Sequence, residues 1–123
     1  MQDKTVLITG TASGMGRIAA KALADKGARL ILVDFDTEEG INSKDEIIDA
    51  SGNKDIEYFD CDVSSFRELR ELSRQIHNHY SQLDVLINNA GITESIRRQS
   101  EDGFEMTMAT NFLGPFLLTH LLL

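Results

Sequence analysis

The chain has 123 residues, with 12 Lys and Arg against 20 Asp and Glu, so its formal net charge is −8. This length corresponds to one domain or part of one, and 41% hydrophobic with 26% charged residues excludes a disordered or fibrous chain. The acidic balance argues against nucleic acid or an anionic membrane as partner, since both attract clustered Lys and Arg. The single cysteine, Cys61, excludes an internal disulfide. No signal peptide or membrane anchor is visible at the N-terminus, so we predict a cytoplasmic protein, and one without a metal site.

Short apolar runs alternate with longer helical patterns along the chain. Buried strands are predicted at Thr5–Thr9, 29–33, 56–59 and Val85–Ile87. The first helix is predicted over residues 14–26, with an apolar stripe that comprises Met15, Ile18, Ala19, Ala22 and Leu23. The second is predicted to begin at an N-cap, Thr37, and to end at Gly52, and the third follows the Ser65-x-x-Glu68 capping box. A fourth helix is predicted from Ser100 or a neighbour to the end of the chain.

The order βαβαβαβα predicts an α/β fold with a parallel sheet, because helices of this length serve as crossovers between parallel strands. Right-handed crossovers give a Rossmann-type, doubly wound sheet with strand order 3-2-1-4. We expect residues 1–123 to form a single, partial domain of this kind, truncated after the fourth strand and its following helix. Ligands of such sheets bind where the order reverses, here between strands 1 and 4.

The first predicted strand leads into the sequence TGTASGMG, residues 9–16. Gly10 can turn the chain off the strand, and Gly14 and Gly16 remove Cβ atoms where a ligand or the sheet must come close. The unpaired N–H groups and positive dipole end of the following helix suit a pyrophosphate. The alternative is a merely tight turn, for which one glycine would be enough.

Asp34 lies at the carboxyl end of the second predicted strand, about twenty residues past the glycine loop. An acid at this position can bind both ribose hydroxyls of an adenosine, and its charge repels the 2′-phosphate of NADP. No Lys or Arg stands in the loop or directly after Asp34 to offset that repulsion. We therefore predict NAD as the cofactor and NADP as the less favoured one, the alternative being that Asp34 is a surface turn acid.

The glycine spacing is Gly-x-x-x-Gly-x-Gly, and Asn88-Asn89-Ala90-Gly91 closes the fourth strand. With these motifs the sequence resembles the short-chain dehydrogenase/reductase family. Residues 102–106 (DGFEM) and 111–119 (NFLGPFLLT) look most like its retinol-dehydrogenase-like branch. The resemblance extends from Lys4 to the last residue and implies an oxidoreductase that moves hydride between a nicotinamide cofactor and an alcohol or ketone.

The resemblance also implies roles for individual residues. Those that would contact the pyrophosphate are Gly10, Ser13, Gly14, Met15 and Gly16. Asp34 would bind the adenosine ribose, and Asp62 and Val63 would flank the adenine. Asn88, Ala90 and Gly91 would pass under the nicotinamide-side ribose, although for Asn88 and Asn89 bracing the sheet is an equally good interpretation.

Asn111 matches the active-site asparagine of the family, whose main-chain oxygen holds a water in a proton relay. Pro115 has no N–H for the carbonyl four residues earlier, and that carbonyl belongs to Asn111. The alternative is that Gly114-Pro115 only kinks the helix.

The family's catalytic serine and Tyr-x-x-x-Lys are missing from these residues. Tyr58 and Tyr80 are the only tyrosines, and four residues after them stand Asp62 and Asp84. We therefore expect the cofactor-binding half of a dehydrogenase, inactive alone, whose parent takes a small alcohol or carbonyl substrate. Without a fifth strand Val85–Ile87 becomes an exposed edge, and the leucine-rich last helix predicts a homo-oligomer.

Two alternatives stay open. The chain is a non-catalytic module that binds a nucleotide or a partner subunit, or it belongs to another doubly wound family such as a methyltransferase or a flavodoxin-like carrier. The latter does not explain the segment 88–91 or Asn111.

Overall fold

The computed structural model describes residues 1–123, which form two compact units. The first unit comprises Met1–Asp60 and Gln82–Asn89, and the second comprises Cys61–Ser81 and Ala90–Leu123. All four strands lie in the first unit: β1 Thr5–Thr9, β2 Arg29–Asp34, β3 Ile56–Asp60 and β4 Val85–Ile87.

The strands form one parallel sheet in the order β3-β2-β1-β4. This confirms the predicted order 3-2-1-4 and the Rossmann-type α/β class. In the register, Leu7 of β1 lies opposite Ile31 of β2 and Leu86 of β4. Every residue of β1 is buried, as a central parallel strand requires, which explains its unbroken run of β-branched and aliphatic side chains.

Two helices of the first unit, α1 Gly14–Asp25 and α2 Thr37–Ser51, complete its hydrophobic core. Alternate residues of the strands face these helices, because side chains in a strand point to opposite faces in turn. The buried cluster consists of Val6, Ile8, Ala20, Ala24, Ala28, Leu30, Leu32, Ile47 and Ile56. The predicted C-terminal signal of α2 is confirmed, since Gly52 takes the left-handed conformation at φ 72°.

The second unit contains the remaining helices: α3 Phe66–His79, α4 Met106–Met108, a π-helical turn Ala109–Leu113 and α5 Gly114–Leu122. Helices α3 and α5 pack against each other, with Leu72 and Leu118 buried. Ser65 caps α3 as predicted, because its hydroxyl accepts from the Glu68 N–H. None of the helices in the structure has both the length and the apolar composition needed to cross a membrane.

Three helix predictions were wrong in detail. The apolar stripe assigned to α1 faces the core only in part: Leu23 packs against it, but Met15 and Ile18 are exposed. The buried face is formed by Gly16, Ala20 and Ala24. At Gly16 a larger side chain would not fit, because even a Cβ would overlap the Gly10 carbonyl. The N-cap of α2 is Asp36 rather than Thr37, since the Asp36 carboxylate accepts from the Glu39 N–H.

The last helix begins at Met106, six residues later than Ser100. Gly103, at φ 87°, donates its N–H to the Ser100 carbonyl and closes a turn that a helix cannot contain. The Glu105 carboxylate then accepts from the N–H groups of Thr107 and Met108 and starts the helix there.

Candidate functional site

The glycine loop joins the end of β1 to the start of α1. Gly10 and Gly14 take positive φ angles of 76° and 59°, which favour glycine over every other residue. The Gly10 N–H donates to the Val33 carbonyl at 2.8 Å, so the turn is fixed against β2. A Cβ added at Gly14 would have no atom within 4 Å, and open space therefore lies beside this glycine.

Gly16 has the opposite surroundings, since a Cβ there would overlap the Gly10 carbonyl and lie 2.5 Å from Asn89 Nδ2. The Asn89 amide donates to the Gly10 carbonyl at 3.1 Å, and the Asn89 N–H donates to the Thr9 hydroxyl at 3.1 Å. Gly16 is thus needed for packing, and Asn89 braces the loop. Of the two functions considered for this asparagine, the structure supports the bracing one.

The start of α1 has no side-chain cap. Ser13 is the N-cap by backbone geometry, but its hydroxyl accepts no bond from the helix, and no acid stands in the first turn. Met15 is 79% exposed. The free N–H groups and the positive end of a helix dipole attract anions, and here neither an N-cap side chain nor an acid of the first turn supplies the negative charge.

Asp34 faces the glycine loop. Its Oδ2 accepts from the Ala12 N–H at 3.0 Å, and its Oδ1 accepts from the Asp36 N–H at 3.0 Å. The carboxylate is only partly buried, and each of its oxygens keeps a lone pair for a further donor such as a sugar hydroxyl. The sequence placed this acid at the end of β2, and the structure brings it to the loop.

Tyr58 of β3 supports Asp34 from behind. Its hydroxyl donates to the Asp34 carbonyl at 2.8 Å, and its ring lies so close to Gly40 that a Cβ there would be 2.5 Å from Cζ. Burial first, and then the negative charge of Asp60, raise the pKa of Tyr58 to about 12. The hydroxyl therefore stays protonated as a donor.

Apart from Asn88, the other predicted contacts belong to the second unit. Asp62 Oδ1 accepts from both the N–H (2.9 Å) and the hydroxyl (2.7 Å) of Ser64, so this carboxylate shapes the turn that follows β3. Val63 is buried, and its carbonyl lies where a Cβ on Gly114 would be. The glycine before Pro115 thus allows close packing against Val63.

Asn111 lies in the π-helical turn, and its side chain pairs with the backbone of Ile92. The amide donates to the Ile92 carbonyl and its oxygen accepts from the Ile92 N–H, each at 2.8 Å. The side chain therefore anchors the segment that follows Ala90 and Gly91. The main-chain feature is more than a kink: the Gly114 N–H donates to the Ala109 carbonyl, five residues back. Pro115 then supplies no N–H to the Asn111 carbonyl.

The predicted residues divide between the two units. The first unit holds Gly10, Ser13, Gly14, Met15, Gly16, Asp34 and Asn88, and the second holds Asp62, Val63, Ala90, Gly91 and Asn111. Sequence reasoning missed Ser43 and the support given by Tyr58. Ser43 is a fully buried polar residue, and its position on the helical stripe Gly40, Ser43 and Ile47 was the available signal.

The geometry of the first unit is suited to binding a dinucleotide. The open space at Gly14 adjoins an uncapped helix start, which suits a pyrophosphate, and the carboxylate of Asp34 is bound to that same loop, where a ribose would follow. Fold and loop together define the class of dinucleotide-binding α/β proteins.

Comparison with known proteins narrows this class. A family model described as short chain dehydrogenase matches residues 4–123. The chain belongs to the short-chain dehydrogenase family. It is 40% identical to retinol dehydrogenase 11 of Homo sapiens over 123 residues, which is 100% of this chain and 39% of that protein.

Solved structures agree with this. The RhlG protein of Pseudomonas aeruginosa, in an NADP active-site complex, matches 99% of this chain and 47% of its own at 26% identity and a TM-score of 0.84. A metagenomic short-chain oxidoreductase in complex with NADP matches 98% and 55% at 26% identity and a TM-score of 0.85. The chain thus spans roughly half or less of the length of these relatives.

Proposed function

We propose that this chain is the cofactor-binding part of an oxidoreductase that transfers hydride between a nicotinamide dinucleotide and an alcohol or ketone. The observation that carries the proposal is the uncapped start of α1, with open space at Gly14 and the Asp34 carboxylate bound to the same loop. The bound cofactor would supply the hydride chemistry. The residues of this chain would hold its pyrophosphate and adenosine ribose in place.

We further propose that the cofactor is NAD rather than NADP. A 2′-phosphate beside the Asp34 carboxylate would meet a like charge at short range. The loop and the residues after Asp34 contain no Lys or Arg, and Arg17, the first cation after the loop, is paired with Glu46. The two NADP complexes among the structural relatives make NADP the competing cofactor, so the preference needs a direct measurement.

Asn111 is the proposed member of the catalytic apparatus within these residues. Its side chain is bound to Ile92, which leaves the main-chain carbonyl, without a Pro115 donor, as the group that would hold a relay water. These residues contain no Tyr-x-x-x-Lys, and we propose that they bind cofactor without turnover. The proposed roles of Asp62 and Val63 at the adenine, and of Asn88, Ala90 and Gly91 at the nicotinamide-side ribose, rest on the family resemblance.

The substrate of the parent enzyme would be a small alcohol or carbonyl compound, as the family resemblance implies. A cytoplasmic location is part of the proposal, supported by a lone, buried cysteine in a chain that has no partner for a disulfide.

A second candidate function is subunit association through the last helix. Phe112 and Phe116 are 60% and 69% exposed, and their rings stack at 6.5 Å on one side of the helix. Exposed aromatic pairs of this kind are typical of protein interfaces. Size-exclusion chromatography with light scattering tests it: the chain should be oligomeric, and Phe116→Glu should make it monomeric. A monomeric wild-type chain would remove this candidate.

Calorimetric titration with NAD and NADP tests the main proposal. The wild-type chain should bind NAD more tightly than NADP. Asp34→Asn should lower the ratio of NAD affinity to NADP affinity by about tenfold, because it removes the charge but keeps an oxygen for the Ala12 N–H. Gly14→Val should abolish binding of both, because its side chain would occupy the open space. Equal affinities for NAD and NADP in the wild type would contradict the preference, and no binding of either would contradict the proposal.

A further inference from the structure

One peptide group of the glycine loop is held at both of its ends. The carbonyl of Thr11 accepts from the Ser43 hydroxyl at 2.8 Å. The N–H of Ala12, on the other side of the same peptide bond, donates to Asp34 Oδ2 at 3.0 Å. The Thr11–Ala12 peptide is therefore fixed in orientation by one side chain from α2 and one from β2.

Ser43 is well placed to act as a fixed anchor. Its side chain is fully buried, as is Thr11, so the hydrogen bond is shielded from competing water. The helix that carries Ser43 is itself held: Asp36 caps its first turn, and the Tyr58 ring packs against Gly40. All of these groups belong to the first unit.

We infer that Ser43 is a positioning residue of the cofactor site, an inference that rests on the proposed function. A peptide between two fixed Cα atoms can flip, which exchanges the directions of its carbonyl and its N–H. With both ends bonded the flip breaks two hydrogen bonds, whereas without the Ser43 hydroxyl it breaks only one. Ser43 thus pre-forms the path of the loop into residues 13–16, which the pyrophosphate would contact.

Asp34 takes part in two functions at once. It is the proposed ribose acid, and through Ala12 it also orients the phosphate-binding loop. Ser43 takes part in only the second. Loss of the Ser43 hydroxyl should therefore weaken the binding of every ligand that carries the diphosphate. It should not change the preference for NAD over NADP.

Thr11→Val provides a matched control on the same loop. The Thr11 hydroxyl is buried and has no hydrogen-bond partner, so its removal leaves both hydrogen bonds of the Thr11–Ala12 peptide intact. Ser43→Ala removes an equally buried hydroxyl that does have a partner. Both variants lose one buried hydroxyl, but only Ser43→Ala loses a hydrogen bond with it.

The first measurement needs no ligand. Amide hydrogen exchange at Ala12 in the full chain should be about tenfold faster in Ser43→Ala and unchanged in Thr11→Val. Ser43→Cys, with a weak thiol donor, should lie between them. Wild-type exchange rates in Ser43→Ala would overturn the inference. If Ser43→Ala does not fold, as judged by circular dichroism, the comparison of Ser43→Cys with Thr11→Val decides in the same way.

The second measurement uses ADP-ribose, NAD, NADP and adenosine in calorimetry. Ser43→Ala should bind the three diphosphates about tenfold more weakly, corresponding to one hydrogen bond, with the NAD-to-NADP ratio unchanged and adenosine unaffected. An equal loss for adenosine, or a changed ratio, would overturn the positioning role. If the wild type binds none of the diphosphates, the proposed function fails, while the exchange measurement still decides whether Ser43 fixes the Thr11–Ala12 peptide.

Discussion

The two helices of the first unit begin in opposite ways. The start of α2 is closed by its own sequence: Asp36 caps it, and Glu38 and Glu39 place negative charge in the first turn. The start of α1 has neither a cap nor an acid, and it is reached through glycines at positive φ. A helix that satisfies its own terminus needs nothing further, whereas one that does not is open to an external anion.

The two starts are nevertheless connected. The Asp34 carboxylate reaches the glycine loop with one oxygen and the N–H of Asp36 with the other. The start of α2 thus helps to fix Asp34, and through it the loop that leads into α1. Variants at each start should have separable effects on stability and on binding.

The largest effect on stability is expected at Gly16, in the first turn of α1. Gly16→Ala should lower the free energy of unfolding by about 3 kcal/mol, because the new Cβ overlaps the rigid Gly10 carbonyl. Gly14→Ala, at positive φ but in open space, should cost only about 1 kcal/mol. Urea denaturation measures both. Equal losses of unfolding free energy in the two variants would contradict the close packing at Gly16 and the open space at Gly14.

An aspartate N-cap on α1, like the one on α2, should raise the stability of the fold and weaken NAD binding. Ser13→Asp adds a carboxylate at the N-cap and should raise the free energy of unfolding by about 0.5 kcal/mol. The same charge should weaken NAD binding by about tenfold, because it competes with the pyrophosphate. Ser13→Asn, a neutral cap, is the control for charge. Unchanged NAD affinity in Ser13→Asp would argue against an anion site at this terminus.

Removing the cap of α2 should lower stability and leave NAD binding nearly unchanged. Asp36→Ala should lower the free energy of unfolding by about 1 kcal/mol, as is usual for a lost N-cap, with NAD affinity changed by less than about threefold. Thermal melts and calorimetry check the two parts, and Asp36→Asn should restore most of the stability. A large loss of affinity would show that the two starts are more tightly coupled than inferred.

The smallest effect is expected at a third start, that of α4. Backbone hydrogen bonds, first from Thr107, hold the pKa of Glu105 below its usual value. Its charged form therefore stabilises the fold above the unfolded pKa of about 4.3, and this contribution is lost as the pH falls through the lower folded pKa. Glu105→Gln should be slightly less stable near neutral pH and equal to the wild type in acid. A constant difference in urea midpoint across that range would exclude the carboxylate as the cause.

Local sequence patterns were sufficient to predict the strands of the sheet and the glycine loop at the start of α1. The β-branched runs, the glycine spacing and the place of Asp34 at the end of β2 depend on near neighbours, and the structure agrees with each of them as an element or a loop. The same holds for the Ser65 cap, which joins residues three apart.

Long-range contacts were beyond such patterns. Ser43 contacts Thr11 across 32 residues, and Asn111 pairs with Ile92 across 19. The buried face of α1 was also misjudged in part, because hydrophobicity favoured Met15 and Ile18, whereas the buried positions hold Gly16, Ala20 and Ala24 and leave no room for a Cβ at Gly16. Helix–sheet distance is set by the assembled fold and cannot be read from a periodic pattern.

The brace from Asn89 to the Gly10 carbonyl has a consequence for biosynthesis. The loop near the N-terminus acquires this support only from a residue 79 positions later. While the ribosome is still translating the intervening codons, the nascent polypeptide carries its glycines without that contact. The first unit is therefore complete only once Gln82–Asn89 has left the exit tunnel.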